Sequence, residues 1–124
     1  VVQKWSISTA EKATLLKHAS CLLYTPDREH FGIVPLEGMY ARVPVLAVNS
    51  GGPTESIEDG ETGFLREADP QVWAKVIEKL LGDKTFRRGM GDAGHALVAA
   101  KFGLEAFARK LDNTCRQLAV GLPP

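Results

Sequence analysis

The sequence has little cysteine, no net charge and no long apolar run, and each shortage removes a class of protein. Its two cysteines, Cys21 in an apolar run and Cys115 in a late helical pattern, form no Cys-x-x-Cys. Neither a disulfide framework nor a zinc site fits, which leaves two buried thiols in a reducing compartment. Fifteen Lys and Arg balance fifteen Asp and Glu. The basic footprint of a nucleic-acid or polybasic membrane binder is therefore missing, although a local phosphate site is still allowed. No apolar run approaches the roughly 18–20 residues of a membrane span, and Val1-Val2-Gln3-Lys4-Trp5 lacks the pattern of a signal peptide. The chain reads as soluble. At 44% hydrophobic and 24% charged residues it matches an average globular domain, which excludes disorder, collagen-like repeats and coiled coil. A length of 124 residues fits one domain. A start on two valines without Met, and an end on Gly121-Leu122-Pro123-Pro124, read as a piece of a longer chain.

What is present is an alternation of helical and strand patterns. Ser8-Thr9-Ala10-Glu11 has the spacing of a capping box, and Ala13, Leu15, Leu16 and Ala19 follow with helical recurrence. Cys21-Leu22-Leu23-Tyr24, stopped by Thr25-Pro26-Asp27, predicts a strand buried on both faces. A helix is expected over Ile33 to Ala41, with Pro35 in its first turn and its start near Gly32. Val43 to Val48 reads as a second buried strand with Pro44 near its beginning. Asn49-Ser50-Gly51-Gly52-Pro53 predicts a sharp turn into a short helix around Thr54 to Ile57, and Gly63-Phe64-Leu65 a third strand. Helices are expected over Pro70 to Leu81, Asp83 to Phe102 and Leu104 to Leu118, the middle one open to a break at its glycines. The fold class is α/β: a Rossmann-like parallel sheet flanked by helices, with a C-terminal helical tail on one side of the sheet.

Ligands in such folds bind beyond the carboxyl ends of the strands, which singles out the segments after Tyr24 and after Val48. They read Thr25-Pro26-Asp27-Arg28-Glu29-His30-Phe31-Gly32 and Asn49-Ser50-Gly51-Gly52-Pro53-Thr54-Glu55. Each feeds a helix N-terminus, where free N–H groups and the dipole favour an anion. Glu29 and Glu37 form Glu-x7-Glu, the first in the loop and the second about one turn into the helix. A loop carboxylate reaches a group lying over the helix N-terminus, whereas one on the helix flank suits a vicinal diol such as a ribose. From spacing alone, two solvated surface glutamates fit as well. Gly32 between them allows close approach to the backbone.

Three segments together resemble a known family. They are Glu29-His30-Phe31-Gly32-Ile33-Val34-Pro35-Leu36-Glu37, Pro44 through Ile57 with its Val48-Asn49-Ser50-Gly51-Gly52-Pro53, and Thr62-Gly63-Phe64-Leu65. In order and spacing they are similar to the nucleotide-binding half of retaining glycosyltransferases with two Rossmann-like domains, the GT-B type. The wording is closest to the eukaryotic mannosyltransferases of lipid-linked, dolichol-based oligosaccharide assembly. The resemblance runs from about Val1 to Leu118 and covers only part of the family's length. Residues 1–124 are thus read as one partial nucleotide-sugar-binding domain.

The resemblance implies roles at the matching positions. Glu29 would be catalytic, accepting hydrogen bonds from the donor sugar and stabilising positive charge near its anomeric carbon. His30, Phe31, Gly32 and Ile33 would hold the donor, the last three through backbone N–H groups on its diphosphate. Glu37 would take the ribose hydroxyls, and Gly51 and Gly52 would form a closely approached wall of the donor pocket. Trp5 and Ser6 would lie near the base, because Val1 to Ser6 resemble the strand whose exit loop borders it. The donor would be GDP-mannose, with a UDP-sugar as the alternative, and no metal or other cofactor would be needed. The acceptor would be a lipid-linked oligosaccharide bound by a separate N-terminal domain, at the cytosolic face of the endoplasmic reticulum. The family's first donor-domain strand carries an Arg and a Lys that meet the diphosphate, and neither is matched here. The chain alone is therefore expected to be inactive as a transferase. A non-catalytic α/β binding or scaffolding domain is the alternative of a different class.

Other motifs carry less. Gly89-Met90-Gly91-Asp92-Ala93-Gly94 is a literal Gly-x-Gly-x-x-Gly, but it follows a polar stretch and not a strand, so close helix packing is its reading. His18 and His95 read as helix-surface or capping residues, and Trp73 as a core or interface filler.

Overall fold

Each of the three apolar runs becomes a strand of one parallel sheet. The computed structural model describes residues 1–120. Its elements are α1 (Thr9–His18), β1 (Leu22–Tyr24), α2 (Ile33–Tyr40), β2 (Val45–Val48), α3 (Pro53–Ser56), β3 (Gly63–Arg66), α4 (Pro70–Gly82), α5 (Lys84–Phe102) and α6 (Leu104–Val120). The strand order is β1-β2-β3, with Tyr24 beside Ala47 and Ala47 beside Leu65. All four residues of β2, the central strand, are buried.

That register divides the core by side-chain alternation. On one face Tyr24, Val45 and Ala47 pack with Met39 of α2 and Val98 of α5. On the other, Leu46 and Phe64 pack with Val76 and Leu80 of α4 and Met90 of α5. Leu23 belongs to this second face but is 45% exposed, so β1 is not buried on both sides as its apolar run predicts. The residues of α4 that reach this face lie on Leu46 and Phe64, in β2 and β3. The position of Leu23 on the outer strand leaves it open to solvent.

The helical part also differs from expectation, because α5 serves both faces and does not stay on one side. It runs unbroken for 19 residues through Gly89, Gly91 and Gly94. A Cβ on Gly91 would overlap the Arg42 carbonyl, and one on Gly94 would lie 3.3 Å from the Thr62 carbonyl. Arg42 and Thr62 precede β2 and β3, so α5 passes beneath the N-terminal ends of the strands, on backbone contacts that only small residues permit. The opposite end, where the strands finish, is left to the loops.

Local signals account for the helix starts. The Ser8 hydroxyl accepts from the Glu11 N–H at 3.1 Å, and the Glu11 carboxylate pairs with Lys4. Asp69 and Asp83 cap α4 and α5, accepting from Gln71 N–H at 2.8 Å and Phe86 N–H at 2.9 Å. Val1 to Ser6, expected as a strand, form none. A strand needs a neighbour for its N–H and C=O groups, and among the described residues β1 pairs only with β2.

The cysteines are not two buried thiols: Cys21 is half-buried and Cys115 is exposed. Burial pushes the Cys21 thiol up, partly offset by the nearby Arg87 charge. With an aromatic disulfide reagent at pH 8, Cys115 is expected to react first and Cys21 several-fold more slowly. Equal rates, read from single Cys→Ser variants, would contradict this.

Candidate functional site

Two loops leave the carboxyl ends of β1 and β2 and are stitched to one another. The Arg28 N–H donates to Ser50 Oγ at 2.9 Å, and the Ser50 hydroxyl donates to the Asp27 carboxylate. Arg28 sits at φ 55°, in the left-handed region that a non-glycine residue rarely adopts. The Gly52 N–H donates to the Glu29 carbonyl at 2.6 Å. Gly51 and Gly52 are what permit this contact. A Cβ on Gly51 would overlap the Glu29 carbonyl, and one on Gly52 would overlap the Phe31 carbonyl. Backbone therefore lies directly on backbone, and the two glycines shape loop 28–31 from below.

This packing delivers Glu29, His30, Phe31 and Gly32 to the start of α2. Gly32 is the N-cap, at φ 77° and ψ 86°, and no side chain caps the helix. Among the described residues, the N–H groups of Phe31, Gly32 and Ile33 donate to no backbone carbonyl outside the helices and strands. An uncapped helix start with free N–H groups is where an anion is stabilised. His30 is exposed, and Phe31 sets its ring edge on Phe102 of α5, with centroids 6.1 Å apart.

Glu29 has a partner that sequence reading did not single out. Tyr24, the last residue of β1 and 8% exposed, donates its hydroxyl to Oε2 of Glu29. Burial first, then the hydrogen bond and the charge of Glu29, push the phenol up to about 12 from an ordinary 10. A folded-state value above the unfolded one stabilises fully below pH 10 and is lost as pH rises towards 12. The stability difference between the natural chain and Tyr24→Phe, read from urea midpoints, should be constant up to about pH 10 and shrink above it. A difference that grows from pH 10 to 12 would contradict the assignment.

Glu37 lies one turn into α2 and faces another direction. It lines a cleft of about 670 Å³ between α1, α2 and α5, with Lys12, Leu36, Tyr40, Val98 and Phe102 among the other walls. Lys12 Nζ is 3.1 Å from both carboxylate oxygens, but its hydrogen bond goes to Oε1, and the buried Oε2 accepts none. An unsatisfied buried oxygen has the capacity to take one further donor. The structure thus gathers Glu29, Phe31, Gly32, Gly51 and Gly52 into one unit and places Glu37 on an adjoining cleft. Trp5 and Ser6 are not brought to it: Trp5 is 82% exposed, Ser6 stands at φ 50°, and neither lines the cleft.

This fold and loop–helix unit define the class. Residues 2–96 match the family described as Glycosyl transferases group 1, and the chain belongs to that family. Its Rossmann-like parallel sheet with flanking helices is that of GT-B glycosyltransferases. The UDP-glucose complex of Anabaena Alr3699/HepE aligns with a TM-score of 0.74 and 25% identity, over 83% of this chain and 29% of that one. Sucrose-phosphate synthase of Thermosynechococcus elongatus aligns with a TM-score of 0.64 and 33% identity, over 74% and 23%. Among curated proteins, the chain is similar to the α-1,3/1,6-mannosyltransferases ALG2. Identity is 46% over 123 residues with that of Rhizomucor pusillus and 50% over 115 residues with that of Homo sapiens. These alignments span 99% and 93% of this chain, but only 27% and 28% of the relatives.

Proposed function

We propose that this chain is the donor-binding part of a retaining mannosyltransferase, which takes mannose from GDP-mannose and passes it to a lipid-linked oligosaccharide. The observation that carries the reading is the uncapped start of α2 with Glu29 beside it. The N–H groups of Phe31, Gly32 and Ile33 receive the diphosphate, whose charge grows as the glycosidic bond breaks. Fixed backbone donors at a helix start stabilise that charge without reorganising, so the diphosphate needs no metal here. Glu29 accepts from the sugar hydroxyls, and Glu37, whose Oε2 accepts no hydrogen bond within the chain, takes the ribose diol. The similarity to α-1,3/1,6-mannosyltransferases ALG2 supports mannose as the transferred sugar. Guanosine as the base, a lipid-linked acceptor and work at the cytosolic face of the endoplasmic reticulum are part of the same proposal. None of the described helices is long and apolar enough to cross a membrane.

Calorimetric titration of the chain with GDP and UDP tests the reading. GDP is expected to bind more tightly, and Glu37→Gln should weaken GDP and GDP-mannose alike by about tenfold, the loss of one hydrogen bond to a charged group. Tighter binding of UDP would move the donor to a UDP-sugar. No binding of either nucleotide at millimolar concentration would favour a scaffold.

A further inference from the structure

The Tyr24 hydroxyl lies where two parts of the proposed donor site meet. It donates to Oε2 of Glu29, and it stands 3.6 Å from where a Cβ on Gly32 would be, at the start of α2. The ring is packed in the core, at the end of a strand paired with β2. Its hydroxyl is thereby fixed by the sheet and not by the loop. Glu29, in contrast, sits on a loop, half-buried, with a flexible side chain. A loop carboxylate free to rotate loses side-chain entropy when it engages a ligand, and a neighbouring donor that already holds it lowers that cost. A hydroxyl on one oxygen leaves the other to accept.

We propose that Tyr24 is a positioning residue for the donor sugar: its hydroxyl holds Oε2 of Glu29 so that Oε1 is the oxygen that accepts from a sugar hydroxyl beside the start of α2. This rests on the reading of Glu29 given above. A phenol with its proton raised towards 12 remains a donor throughout the neutral range. The bland alternative is that Tyr24 only fills the core and finds a convenient acceptor. In that case deleting its hydroxyl would alter stability without touching sugar recognition.

Tyr24→Phe keeps the ring and removes only the donor. In calorimetry of the 124-residue chain, it should leave GDP affinity within about twofold while the extra affinity for GDP-mannose over GDP falls about fivefold to tenfold. The double variant with Glu29→Gln should be no worse than Glu29→Gln alone, because the two act as one unit. A full sugar increment in Tyr24→Phe, with the increment lost in Glu29→Gln, overturns the positioning role and leaves the reading of Glu29 standing. An increment kept in Glu29→Gln, or no GDP binding at all, overturns both. The bond itself is checked without ligand by phenolate absorbance, with the Tyr24 step identified by difference from Tyr24→Phe. Glu29→Gln should lower that step by the part due to Glu29, the largest part, due to burial, remaining, and an unmoved step overturns the proposal.

Discussion

Gly52→Ala is expected to destabilise the chain by about 2–4 kcal/mol, an effect usually reserved for the core. The new methyl would overlap the Phe31 carbonyl, which is backbone and cannot rotate away, and the Gly52 N–H would be pushed off the Glu29 carbonyl it now meets at 2.6 Å. Backbone conformation is not at issue, since Gly52 lies at φ −53°, where alanine is comfortable. Gly89→Ala is the matched control. It stands in helix α5 with nothing within 4 Å of its Cβ, and alanine there should stabilise by up to about 1 kcal/mol. Urea midpoints of the two variants check both signs, and a Gly52→Ala chain as stable as the natural one would contradict the close packing of the two loops.

Glu29→Ala should cost GDP-mannose about tenfold to a hundredfold in affinity while leaving GDP within about twofold. The magnitude is that of one or two hydrogen bonds to an ionised acceptor. The asymmetry follows from placement, because Glu29 precedes the N–H groups proposed to meet the diphosphate and has no proposed contact with ribose or base. Glu37→Gln is expected to do the reverse, weakening both ligands equally. Calorimetry on the two variants separates the roles, and equal losses for GDP from Glu29→Ala would contradict the division of labour.

Much of this arrangement was legible in the residues, and the exceptions have physical causes. The apolar runs at Leu22, Val45 and Gly63 gave strands because buried parallel strands need near-continuous apolar sequence. Gly32 marked the start of α2, and Pro35 fell in its first turn as the missing N–H requires. A strand at Val1 to Ser6 is expected from the family resemblance alone, and strand formation depends on a neighbour. The glycines of α5 leave a break open but read as sites of close packing, and Gly91 and Gly94 do mark where the unbroken helix crosses backbone; which backbone they meet is a tertiary fact. Tyr24 was hidden for a similar reason. Its contact with Glu29 exists only because the intervening chain turns back at Arg28, with a φ that nothing in the word Thr-Pro-Asp-Arg-Glu announces. Gly51 and Gly52 read as the wall of a donor pocket, and what the structure packs against them is the backbone of loop 28–31.

On the proposed reading, a nucleotide sugar places its diphosphate on the start of α2. Amide chemical shifts followed by nuclear magnetic resonance during a titration with GDP-mannose test it most directly. The largest changes are expected at Phe31, Gly32 and Ile33, with GDP reproducing them and mannose alone leaving them unmoved. Changes centred elsewhere, with those three amides unmoved at saturation, would contradict it.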